Sequence, residues 1–149
     1  MPADQPFVRH EGTVVLLMLL FGFLTTPVLI LYGVRGLLRA RQAVSRAAIL
    51  VAGSVLAWAM TIGLYTWGLL HLFIADDYTE ARACDAALGK SLVGYDPSFV
   101  PLRFDCIGSD GHTASVVVPS YINPVLAVLV VCAVTLTAFA IVRTKERTP

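Results

Sequence analysis

The sequence predicts an all-α membrane protein of three transmembrane helices, with a small disulfide-stapled α+β extracytoplasmic loop made of a short helix and a β-hairpin. Three observations lead there. Of 149 residues, 57% are hydrophobic and only 14% charged, too little polar surface for a soluble domain of this length. The apolar residues gather into three uncharged runs, 13–34, 47–75 and 122–142. Each reaches the ~20 residues that a helix needs to cross ~30 Å of hydrocarbon. Two of the three cysteines then lie in the one long polar connection, 76–121.

Residues 1–12, "MPADQPFVRHEG", carry two acids against one arginine and read as an extracytoplasmic tail. Without a basic segment ahead of it, the run 13–34 is expected to be a retained span rather than a cleaved signal. Thr25, Thr26 and Pro27 fall near its middle, where proline removes a backbone hydrogen bond and threonines can satisfy freed carbonyls. The segment 35–46 holds Arg35, Arg39, Arg41 and Arg46 with no acid and is expected as a cytoplasmic loop. In the second span, Ala59 and Gly63 have the small-xxx-small spacing that lets helix backbones approach, so this face is expected to pack on another span or a second copy. The third span opens at "YINP", with Asn123 expected as N-cap and Pro124 in the first turn. Residues 143–149 add Arg143, Lys145 and Arg147, whereas 76–121 hold seven acids against Arg82, Lys90 and Arg103. The positive-inside rule therefore places the 35–46 loop and C-terminus in the cytoplasm, and the N-terminus and long connection outside.

Within that connection, "DYTE" sets Asp77 as an N-cap with Glu80 three residues on, predicting a short helix over 78–88 that ends at Gly89. Val100, Leu102, Phe104 and Cys106 alternate with Pro101, Arg103 and Asp105, which is strand periodicity. Asp110-Gly111 supplies a hairpin turn before "TASVVVP". Cys84 and Cys106 both fall on apolar faces, and an outer location permits their oxidation to a disulfide.

Chemistry-bearing patterns are few. Gly89-Lys90-Ser91 resembles the end of a phosphate-binding loop, but the required glycine five residues earlier is Cys84, and Gly89 closes a helix instead of opening one. There is no Cys-x-x-Cys, and Cys132 lies inside the third run. The spans contain no Asp, Glu, Lys or Arg of the kind that coupled transport uses. Metal-binding candidates are His71 and His112 with Asp76 and Asp77, supplied by different elements with no spacing that forces them together. No cofactor is implied, and no extended basic surface points to nucleic acid.

The stretch "VPLRFDCIGSDGHTASVVVPSYINP", together with the three-span layout, resembles loops in small, uncharacterised multi-pass membrane proteins of actinomycete bacteria. Nine arginines against two lysines agree with such a source. The resemblance implies no activity and no site residues. The expected role is therefore that of a non-enzymatic accessory, interaction or envelope-sensing subunit in the bacterial plasma membrane. Its expected partners are lipid and either another membrane or envelope protein or further copies of the chain. Tyr95, Phe99 and Tyr121 are the candidates for partner contact. Two alternatives remain: an outer-face metal or redox enzyme, and a small oligomeric channel built on the Ala59/Gly63 face.

Overall fold

The computed structural model describes residues 11–75, 77–89 and 92–145, and for Asp77 and Tyr78 the backbone alone. The element order is α1 (Gly12–Gln42), α2 (Arg46–Ile74), α3 (Asp77–Leu88), β1 (Leu92–Phe99), β2 (Leu102–Gly108), β3 (Thr113–Ser115) and α4 (Ile122–Lys145). Helices α1, α2 and α4, of 31, 29 and 24 residues, are long and apolar enough to cross a membrane. Even the shortest reaches about 36 Å at the α-helical rise.

The segment expected as a loop over 35–46 is mostly helix. Its residues "RGLLRARQ" are, apart from Gly36, good helix formers, and α1 continues through them to Gln42. Only 43–45 separate it from α2, and those three residues have a specific geometry. The Ser45 N–H donates to the Ala40 carbonyl at 3.1 Å and the Val44 N–H to the Arg41 carbonyl at 3.3 Å. These are the paired 6→1 and 5→2 bonds of a Schellman motif, with Val44 in the left-handed place at φ 47°. Ser45 then begins the next helix. Its carbonyl accepts from Ile49 N–H at 3.1 Å, and its hydroxyl lies 3.5 Å from Ala48 N as an N-cap.

The structure divides into two compact units. One consists of residues 20–66 together with 124 onward. There α1 and α2 meet through small residues: a Cβ on Gly33 would lie 2.7 Å from Leu56 Cγ, and one on Gly63 would lie 3.2 Å from Thr26 Cγ2. Gly22 faces Thr66 in the same way, and α4 is tied in where Trp58 Nε1 donates to Thr137 Oγ1 at 3.2 Å. The hydroxyls of Thr25, Thr61, Thr66 and Thr137 donate to carbonyls one turn back, so these polar atoms are satisfied within their own helices.

The other unit gathers the first turns of α1, the end of α2 from Trp67, α3, the sheet and the start of α4. Its sheet is antiparallel in the order β1-β2-β3, one strand more than the predicted hairpin. β1 was obscured by Gly94 and Pro97, residues that argue against a central strand. Both are tolerated because β1 lies at the edge, pairing with β2 alone, and the register shifts between Leu92 and Gly94 to leave Val93 as a bulge. Val100, assigned by alternation to the buried face, lies instead in the two-residue turn to β2 and is 86% exposed.

The Schellman turn yields a direct test. Val44 is β-branched, left-handed and 85% exposed, so it carries steric strain with no burial in return. Val44→Gly should raise unfolding free energy in mild detergent by about 1 kcal/mol, even after glycine's entropic cost. Denaturant titration followed by helical circular dichroism would check this, and an unchanged or lowered midpoint would contradict it.

Candidate functional site: the disulfide-bonded cap

The alternation along β2 decides what the cap buries. Leu102, Phe104 and Cys106 point to one face and are 1%, 0% and 0% exposed, while Arg103 points to the other. On α3, Cys84 is fully buried and bonds to Cys106, with a Cα–Cα distance of 5.7 Å and a sequence separation of 22. Gly89 follows α3 at φ 62°, the left-handed glycine expected after a helix end. A unit of one short helix and three short strands has little core of its own. Closing a loop of this size removes about 3 kcal/mol of unfolded-state entropy in the chain-entropy model, so the disulfide stabilises the cap substantially.

Phe104 is the centre of that core, and Tyr95 lies against it with ring centroids 5.2 Å apart. Tyr95, a sequence candidate for partner contact, is thus only 8% exposed and belongs to the interior. Of the other two candidates, Phe99 is half-buried at the end of β1, whereas Tyr121 is 52% exposed just before α4.

The base of the cap is fixed by residues from three elements. A Cβ on Gly68 of α2 would lie 2.6 Å from Leu102 Cδ2 and 3.3 Å from Ile122 Cδ1, so the absent side chain is what admits Leu102. Beside this contact the Asn123 amide forms a two-way bridge. Leu102 N–H donates to Asn123 Oδ1 at 3.0 Å, and Asn123 Nδ2 donates to the Leu102 carbonyl at 2.9 Å. The expected N-cap role of Asn123 is therefore replaced. Ile122 opens α4, and the asparagine side chain pairs with a strand backbone as a neighbouring strand would. Nothing in a linear motif announces this, because the partner lies 21 residues away.

The outer sheet face is polar. Asp96 and Asp105 are directly opposed across β1 and β2, an unfavourable pairing of like charges. Arg103 relieves it, with Nε 3.2 Å from Asp105 Oδ2 and Nη2 3.7 Å from Asp96 Oδ2. At the far end of β2 the predicted hairpin forms. Gly111 sits at φ 80°, Gly108 N–H donates to the His112 carbonyl at 2.8 Å, and His112 N–H donates to Asp110 Oδ1 at 3.2 Å. Beyond β3, Val118 N–H donates to the Val116 carbonyl at 2.8 Å around Val117 at φ 73°, a γ-turn of the strained kind.

The metal candidates occupy separate surroundings. His71 meets the edge of Trp67 at 5.2 Å, and His112 lies in the hairpin turn. Asp77 opens α3, and Asp76, like Lys90 and Ser91 of the phosphate-loop likeness, is outside the described residues. Among the described residues no three His, Cys, Asp or Glu side chains converge as metal ligands would. Ala59 is fully buried and Gly63 lies against Thr26, so the small-residue face is occupied within the chain. Comparison with protein-family models, with curated proteins and with solved structures gives no match.

Removing the Asn123 bridge isolates its contribution. Asn123→Leu leaves the Leu102 N–H and carbonyl unpaired, at a cost of roughly 2–4 kcal/mol. Amide exchange at Leu102 should accelerate by about 30- to 1,000-fold, since each 1.4 kcal/mol is about tenfold. Asn123→Asp keeps the acceptor and should fall between. Unchanged protection in Asn123→Leu would show that the bridge contributes nothing.

Proposed function

We propose that the chain is a multi-pass protein of the bacterial plasma membrane whose cap faces outward, and that it works as a non-enzymatic interaction or sensing subunit through that cap. The observation that carries the reading is the Cys84–Cys106 disulfide. It closes a small polar α/β unit in a chain whose other described elements are apolar helices, and such bonds persist in oxidising surroundings. Orientation rests on the arginines of the α1–α2 segment set against the acids of the long connection.

Where a partner would dock follows from what the cap offers. The outer edge of β1 is a poor template for strand addition, because Pro97, the bulge at Val93 and the charge of Asp96 all oppose it. Val100 and Tyr121 flank Leu102 and Asn123 next to Gly68 and Ile122 of the long helices, a position suited to the lipid headgroup level. Partner contact is thus assigned to the polar outer sheet face around Asp96, Ser98 and Arg103, and to the Ser109–His112 turn. The channel reading loses its face, since Ala59 and Gly63 are engaged inside the chain.

Site-specific photocrosslinking in native membranes tests this reading. A photoreactive residue at Ser98 or Asp110 should give a discrete protein adduct, which disappears when Cys84 and Cys106 are both changed to Ser. A photoreactive residue at Phe139, exposed on α4, should give lipid adducts instead. Identical products from the cap and from Phe139 would overturn the proposal.

A further inference from the structure

The α1–α2 pair carries a second feature, separate from the cap. Gly36, Ala48 and Ala52 are small, and Gly36 approaches Ala52 so closely that a Cβ on the glycine would lie 3.4 Å from the alanine Cβ. Side chains on either side stand above this floor and enclose a groove of about 570 Å³. Its two ends differ in chemistry. Val28 and Leu31 make one end apolar, whereas Arg35 and Arg39, one helical turn apart, make the other cationic, with Tyr32 between them. From Val28 to Arg39 the groove follows α1 for about 16 Å.

Among the described residues Arg35 and Arg39 have no counter-charge at hand. The described residues of this unit include Arg35, Arg39, Arg41, Arg46, Arg143 and Lys145, but no aspartate or glutamate. Among the described residues neither Arg35 nor Arg39 makes an ion pair. A guanidinium pair of this kind matches phosphate oxygens, which arginine binds through forked hydrogen bonds. An apolar trough continuous with that site calls for a ligand having both a phosphate and an acyl chain.

We propose that this groove is a binding site for one anionic phospholipid of the leaflet that contacts the α1–α2 turn. Its phosphate sits between Arg35 and Arg39, and an acyl chain lies along Leu31 and Val28. The inference rests on the membrane reading above. It goes beyond the general attraction of basic residues to anionic membranes, because it assigns a particular groove and excludes other arginines of the same helix. Arg41, on α1 but outside the groove lining, provides the internal control.

Flotation of the full chain with phosphatidylcholine vesicles first tests the membrane reading alone, and a chain left in the aqueous fraction would remove both ideas. For the chain in mild detergent, native mass spectrometry with equimolar phosphatidylglycerol and phosphatidylcholine then tests the groove. One phosphatidylglycerol should be retained in preference, by roughly fivefold for each contributing arginine. R35Q/R39Q should abolish a preference of about 30-fold in total, while R41Q leaves it intact and both variants keep wild-type helical circular dichroism. Equal retention of both lipids, or equal loss in R41Q and R35Q/R39Q, would overturn the proposal. Complete displacement of the lipid by inorganic phosphate would also overturn it, by showing that the site holds phosphate alone.

Discussion

A peptide group without a hydrogen-bond partner in an apolar medium costs several kcal/mol, and the arrangement of this chain follows from avoiding that cost. The three long helices make most of their backbone bonds internally, and the hydroxyls of Thr25, Thr61, Thr66 and Thr137 return to carbonyls of the preceding turn, while the Thr26 hydroxyl is buried without a partner among the described residues. Where one helix must stop and the next begin, Val44 and Ser45 complete the exposed carbonyls and N–H groups within three residues, at the cost of a strained valine. A sheet cannot be self-sufficient in this way, because among the described residues β1 and β3 each pair with one strand only. The one place where strand backbone meets the beginning of a long helix is closed by the Asn123 amide.

How legible this was in the sequence depended on the range of each interaction. The three apolar runs and the loop helix ending at Gly89 are local patterns, and each helix begins within a residue of its expected start, although α1 runs eight residues past the end of its run. The disulfide was legible because only two cysteines lie in the polar connection. β1 was not, since its sequence carries a glycine, a proline and a bulge that only an edge strand tolerates. The continuation of α1 through Arg35–Gln42 lies beyond the apolar run, where helix propensity and not hydrophobicity carries the helix on. The Asn123 bridge and the burial of Tyr95 depend on residues far apart in sequence, so no local pattern contains them.

Polar chemistry is concentrated in two places with different characters. The cap presents an ion-paired sheet face held rigidly by a disulfide and a single aromatic core, a geometry suited to recognition. The α1–α2 segment presents unpaired arginines above a small-residue groove, a geometry suited to an anionic amphiphile. On the proposed reading, a subunit of this design would present the cap to a partner and hold a lipid at the α1–α2 turn. Its helices would supply the connection without ionisable groups in the hydrocarbon.

That account stands or falls on the cap and the α1–α2 turn facing opposite sides of a membrane. In a Cys132→Ser background, single cysteines at Ser109 and Gln42 can be probed in intact cells with a membrane-impermeant maleimide. The account predicts that Ser109→Cys is labelled at once and that Gln42→Cys reacts only after permeabilisation. Labelling of both in intact cells, or of Gln42→Cys alone, would contradict it.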